Sequence, residues 1–292
     1  NDGKRVAYVV REAIMERKKS EYISQIWVTN VDTKENTQYT FNSKSSNSPK
    51  FSPDGKKIAF LSSRSGKNQI WIINTLGGEP RKVTEEKKGV SSIQWSPDGK
   101  NISFLKSDDD TEEETKSKED KTDVILVDKN FKYSHIYSYS FLEDTLHQIT
   151  KGSFTVNNYN YSPDGKKIIF SHQEDTNINT GFINTDISII DSNGDNLKNL
   201  VIRPGLDSNP IFSGDGKKFA FISSGGNEEP IGLRDVHIYN LKDNTIVKLS
   251  NTPNRDSRIV SWTTDNKMLI ISENIKTTSQ LLLLPVNGDN YI

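Results

Sequence analysis

Thiol chemistry is closed to this 292-residue chain, because it contains no cysteine. Thiolate nucleophiles, disulfides and thiolate-bound metals are thereby excluded. The histidines are His135, His147, His172 and His237. A hydrolytic triad needs one of them held between a carboxylate and an exposed serine, yet no Gly-x-Ser-x-Gly nucleophile elbow occurs. No catalytic residue is assigned. Asp191 and Asp195 flank Asn193-Gly194 but lack the spacing and closing glutamate of a calcium loop. No metal site and no cofactor are expected, since zinc clusters, Walker loops and dinucleotide fingerprints are absent.

Polar recognition is what remains. Arg203, Arg255 and Arg258 lie between apolar segments, where loops can present a guanidinium fork to a carboxylate. Glu228-Glu229 is an adjacent acidic pair set between Gly225-Gly226-Asn227 and Pro230. These five residues are the substrate-binding candidates, against a default of solvated loop side chains. Lys and Arg total 38 against 39 Asp and Glu, a balance that gives no reason to expect nucleic acid or a membrane as partner. Acid is concentrated in Asp108 to Lys121, with eight carboxylates, three lysines and no apolar residue. Such a segment cannot bury enough surface to order itself, so residues 107–123 are expected to form a flexible, disordered insertion.

The elements that would position these residues are written in a repeat. Ser52-Pro53-Asp54-Gly55-Lys56 recurs at Ser96, at Ser162, and in drifted form at Ser213 and Thr263, with a shortened copy at Asp2-Gly3-Lys4. The aspartates fall 52, 44, 66, 51 and 50 residues apart, which is the spacing of propeller blades. Proline presets the first turn position, aspartate suits the second, and glycine accepts the left-handed conformation that follows. An aromatic precedes each complete turn (Phe51, Trp95, Tyr161, Phe212, Trp262) and a strand apolar on both faces follows it, as in Ile58-Ala59-Phe60-Leu61. A sheet sandwiched between two others requires such strands. Trp27, Trp71, Trp95 and Trp262 all occupy repeat positions and read as packing between blades.

The fold class is therefore all-β, a β-propeller of four-stranded antiparallel blades. Six units are present, approximately 1–46, 47–90, 91–152, 153–205, 206–254 and 255–292. The first lacks an opening strand and the last a closing one, so the chain reads as part of a seven- or eight-bladed ring.

Laid out this way, the sequence resembles the N-terminal propeller of the prolyl oligopeptidase family of serine peptidases, in its acylaminoacyl-peptidase-like branch. The resemblance is carried by Asp2 to Arg11 with Ser24-Gln25-Ile26-Trp27-Val28, and by Phe51 to Leu61 with Gln69-Ile70-Trp71 and Gly77 to Thr84. The long insertion before His135-Ile136-Tyr137 is similar to the uneven blades of that branch. The resemblance implies a non-catalytic, substrate-gating propeller acting on short peptides, with a downstream α/β-hydrolase domain as its partner. In the dipeptidyl-peptidase branch a propeller glutamate pair holds the substrate amino terminus, but the setting of Glu228-Glu229 does not match it, and the role is not carried over. The alternative is a stand-alone TolB-type propeller mediating protein–protein interaction in the periplasm. Cytoplasmic residence is the expectation on the peptidase reading, although the lack of cysteine leaves the compartment open.

Overall fold

The recurrent turn closes by one set of bonds wherever it appears. Ser52 Oγ donates to Asp54 Oδ1 (2.6 Å) and accepts the Lys57 N–H (3.0 Å), while Asp54 Oδ1 accepts the Lys56 N–H (3.0 Å). Ser96, Ser162, Ser213 and Thr263 repeat the first bond with their own aspartates. The hydroxyl bonds hold Asp54, Asp98, Asp164, Asp215 and Asp265 below the usual carboxylate range. Gly55 then adopts φ +68°, and Asn266 takes +58° at the same place in the last repeat, as a residue tolerant of that region can. These aspartates build turns.

The computed structural model describes residues 3–16, 19–122, 131–229 and 232–292. Asp2 of the shortened turn, Asp123 at the end of the insertion and Pro230 beyond the glutamate pair lie outside the described residues. Backbone contacts define two compact units, Asn1–Asp123 with Ile136–Gln148, and Val124–His135 with Ile149–Ile292.

Three antiparallel sheets come first in the chain. Strands β1 (Arg5–Glu16), β2 (Lys19–Asn30) and β3 (Asn36–Gln38) form the first. The second is β4 (Ser46–Phe51), β5 (Lys57–Ser65), β6 (Lys67–Asn74) and β7 (Arg81–Lys82). The third is β8 (Ser91–Trp95), β9 (Asn101–Ser107), β10 (Ser134–Ser140) and β11 (Thr145–Gln148), with helix α1 (Glu112–Glu119) between β9 and β10.

The second unit repeats the plan. Its first sheet, fourth in the chain, is β12 (Thr155–Tyr161), β13 (Lys167–Gln173), β14 (Asn184–Asp191) and β15 (Lys198–Val201), with the short helix α2 (Ile178–Ile183) before β14. The fifth is β16 (Gly205–Phe212), β17 (Lys218–Ser223), β18 (Asp235–Asn240) and β19 (Thr245–Lys248), joined to the fourth by a short parallel pairing of β14 with β16 at Asn184–Gly205 and Thr185–Leu206. The sixth is β20 (Arg258–Trp262), β21 (Met268–Ile275) and β22 (Thr278–Pro285). The fold is a β-propeller of six antiparallel repeat units, as the repeat implies. Among the described residues the first and sixth sheets have three strands each, and Ile292 exchanges two backbone hydrogen bonds with Leu283 beside β22 (2.9 and 2.8 Å).

Packing explains the two-sided apolar strands. Phe60, Phe104, Phe170 and Phe221, at one repeat position, are fully buried, each worth about 2–3 kcal/mol of transfer free energy. Ile26 and Val28 pack on Ile58 and Phe60, and Leu61 and Ile70 on Ile93 and Phe104. In the second unit Ile187 and Val201 meet Phe219 and Phe221, and Ala220 and Ile222 meet Ile259 and Ile271. The tryptophans before the turns also tie sheets together. Trp95 Nε1 donates to Lys50 O and Trp262 Nε1 to Ile211 O, both at 3.0 Å.

The acidic insertion corrects the sequence expectation of disorder. Glu112–Glu119 is a helix with a reciprocal capping box, in which Thr111 N–H donates to Glu114 Oε2 (2.8 Å) and Glu114 N–H to Thr111 Oγ1 (3.2 Å). Three glutamates occupy its first turn and two lysines its last, which suits the helix dipole. Asp110 receives Lys88 and Lys118, each at 2.8 Å, and their bonds hold its carboxyl at about 2. No helix residue is buried. Capping and ion pairing order the segment without a core.

Candidate functional site

Each sheet has two ends. One carries the signature turns and the third hairpins, and the other carries the loops between second and third strands together with the connections to the next sheet. Arg203, Glu228, Glu229, Arg255 and Arg258 all fall at this second end, in the second unit.

A repeated side-chain clamp organises this end. Gln69, at the start of β6, donates through Nε2 to Glu86 O (2.7 Å) and accepts both Thr84 Oγ1–H (2.8 Å) and Glu86 N–H (3.0 Å) at Oε1. Thr84 Oγ1 in turn accepts Ile70 N–H (2.9 Å). Gln25 with Thr40 repeats the arrangement in the first sheet, and His135 Nδ1 meets Thr150 Oγ1 (3.3 Å) at the corresponding place. The two partners are always fifteen residues apart. In the fourth sheet the pair becomes Asp186 and Val201, and valine has no hydroxyl to donate. Asp186 keeps a bond from the Arg203 backbone, but its Oδ1 is buried without a hydrogen-bond partner. Burial, with Asp207 and Glu174 adding repulsion, pushes its carboxyl up to about 6.

Two of the three candidate arginines are closed on carboxylates of the chain. Arg203 Nε and Nη2 each reach Asp207 at 2.9 Å, and Nη2 also donates to Ser223 Oγ (2.7 Å). Arg255 forks onto Asp235 at 2.8 and 2.6 Å, with Lys248 on the same carboxylate at 2.9 Å. Burial acts against the Asp235 charge, yet these cations hold it below its ordinary value, and the carboxylate hydrogen bonds raise both arginines. Glu228 and Glu229 are exposed in the β17–β18 loop, apart from either fork.

Arg258 is placed differently. It is exposed and lines a cavity of about 480 Å³ between the fifth and sixth sheets. Ser208, Asn209, Ser257, Ser272, Asn274 and Ser279 supply hydroxyls and amides, Arg234 and Asp256 add charge, and Ile222 is the one aliphatic lining residue. Asn209 sits in a β-bulge at φ +53° and accepts a bond from Asn158 Nδ2 (2.8 Å) on the neighbouring β12. Glu273 orders the floor loop. Buried itself, it accepts from Thr252 Oγ1 (2.6 Å), Ser257 Oγ (3.1 Å) and the backbone N–H groups of Asn254 and Asp256.

The histidines form no hydrolytic site. His172 Nε2 lies 2.8 Å from Ser188 Oγ, but that hydroxyl donates to Asn199 Oδ1 (2.9 Å) and is fully buried. The serine therefore accepts from His172, which is the reverse of what a nucleophile needs. Burial alone lowers His172 to about 4, and burial first also lowers His237. His147 is exposed beside Glu143 (3.2 Å). Sequence reasoning singled out the arginines but missed Asp207, Asp235, Glu273 and the clamp. The fifteen-residue spacing was the signal available for the last.

The residues 21–127 match the family model described as the Tricorn protease N-terminal beta propeller domain. Over 141 residues the chain is 25% identical to dipeptidyl-peptidase 5 of Trichophyton equinum, covering 44% of this chain and 19% of the relative. The chain thus spans about a fifth of the length of the curated relative it matches. Among solved structures it is similar to acylaminoacyl peptidase of Pyrococcus horikoshii, at a TM-score of 0.70 and 19% identity, covering 98% of this chain and 44% of that one. TolB from Acinetobacter baumannii superposes at a TM-score of 0.57 and 19% identity, covering 99% and 65%. The resemblance carried by the repeat motifs is borne out: this is a propeller domain related to peptidase propellers.

Proposed function

We propose that this chain is the non-catalytic, substrate-gating propeller of a prolyl-oligopeptidase-family serine peptidase that acts on short peptides. The observation that carries the reading is the sequence match to dipeptidyl-peptidase 5 across 44% of the chain, because it reaches beyond shared fold. The chemistry of the described residues supports it. The serine beside His172 is buried and directed elsewhere, while the loop-bearing end of the second unit offers arginine, hydroxyl and amide groups to a polar ligand. On this reading the triad belongs to a hydrolase domain downstream, and the propeller limits what reaches it.

The TolB likeness over 99% of the chain favours a second reading, a stand-alone protein-interaction module. The coding sequence past Ile292 separates the two. A Gly-x-Ser-x-Gly stretch followed by aspartate and histidine is expected for the peptidase. A frame that closes after further propeller repeats would reject it in favour of the module.

A further inference from the structure

We propose that the polar cavity between the fifth and sixth sheets binds the free α-carboxylate of a short peptide, with Arg258 as the fork that holds it. The inference rests on the peptide-handling reading above and names the ligand group for one site within it. The molecule supplies its own template. Arg203 and Arg255 each grip an internal aspartate through two nitrogens, the bidentate geometry in which a guanidinium best recognises a carboxylate. Arg258 stands at the same end of the same unit, faces open space, and makes no ion pair among the described residues.

The rest of the lining narrows the ligand class. At about 480 Å³ with a single aliphatic wall residue, the cavity is of small-ligand size but lacks the apolar surface that an aliphatic or aromatic side chain would need. Ser208 and Ser272 present hydroxyls that can donate to a second carboxylate oxygen. Asp256 lies two residues before Arg258, lines the same cavity, and likewise forms no ion pair among the described residues. Arg234 and Arg258 against Asp256 leave the lining with one positive charge in excess, which suits a monoanion better than a dianion such as phosphate. A carboxylate on a short polar backbone meets these conditions. The β-bulge at Asn209 and the bonds that Glu273 accepts from Ser257 and Asp256 hold the lining in place, which limits the reorganisation needed on binding.

Isothermal titration of the 292-residue chain with trialanine and with trialanine C-terminal amide tests the proposal. The free acid should bind at least about tenfold more tightly than the amide, the worth of one charge-assisted fork. Arg258→Gln should remove that preference, and Arg258→Lys should restore part of it. Arg258 is exposed, so unchanged melting of both variants is expected and separates binding from folding. Equal binding of acid and amide, or an unaltered preference in R258Q, overturns the carboxylate site while leaving the peptide-handling reading intact. Failure of the wild-type chain to bind either peptide likewise overturns the carboxylate site, and the coding sequence past Ile292 tests the peptide-handling reading separately.

Discussion

The second and fourth sheets solve the same problem with different residues. Both must pin the connection leaving the fourth strand against the start of the third. In the second sheet Gln69, Thr84 and Glu86 satisfy one another completely. In the fourth the same positions are Asp186, Val201 and Arg203, and one buried carboxylate oxygen is left over. Both connections also carry a left-handed glycine in a tight approach, Gly89 against the start of β6 and Gly205 against the β17–β18 loop. A Cβ on Gly89 (φ +80°) would stand 2.8 Å from Asn68 O. On Gly205 (φ +96°) it would collide with Ser224 Oγ and lie 2.7 Å from Asn227 O. A repeat can therefore keep its backbone path while one copy gives up polar satisfaction. That copy adjoins the arginine-rich end.

Experiments that break this comparison rank by how much each removes. Gly205→Ala meets both a steric collision and an unfavourable φ, so a loss of about 3–4 kcal/mol is expected in urea unfolding. Gln69→Ala strands the Thr84 hydroxyl and both backbone groups of Glu86, with an expected loss of about 2–3 kcal/mol.

The fourth sheet should respond in the opposite sense. Asp186 has a folded pKa of about 6 against an ordinary 3.8, so the folded chain binds its proton more tightly, and stability falls as pH rises through that window. His172, lowered to about 4 from 6.5, works the other way and masks the effect in the wild type. Asp186→Asn should match the wild type below pH 4 and exceed it above pH 6 by about 1–2 kcal/mol, allowing for partial solvent access. Val201→Thr sharpens the contrast by returning the missing hydroxyl, and should draw the Asp186 titration down toward the usual carboxylate range in carboxyl-resolved NMR.

Least should follow from deleting residues 108–121. Helix α1 buries nothing and its ion pairs are at the surface, so the melting temperature should move by roughly 2 °C or less.

The blades were legible because one turn, with its serine, aspartate and glycine, is spelled out at nearly every repeat. The position of the candidate arginines at one end of the sheets followed from strand order. Their partners did not, since Asp235 lies twenty residues from Arg255 and meets it only after β18, β19 and a connection have folded. Helix α1 was missed because apolar content alone was weighed, although Thr111-x-x-Glu114 is a capping box readable in the sequence. The orphaned Asp186 was beyond reach until the clamp was seen, because an aspartate opening a strand looks ordinary unless its absent threonine is noticed.

Fluorophosphonate labelling of the protein as expressed from its native gene, with mass-spectrometric mapping of the adduct, bears most directly on the proposal of a non-catalytic peptidase propeller. The account requires one modified serine beyond Ile292 and none within residues 1–292. An adduct on any serine of this chain, or no adduct anywhere in the protein, would contradict it.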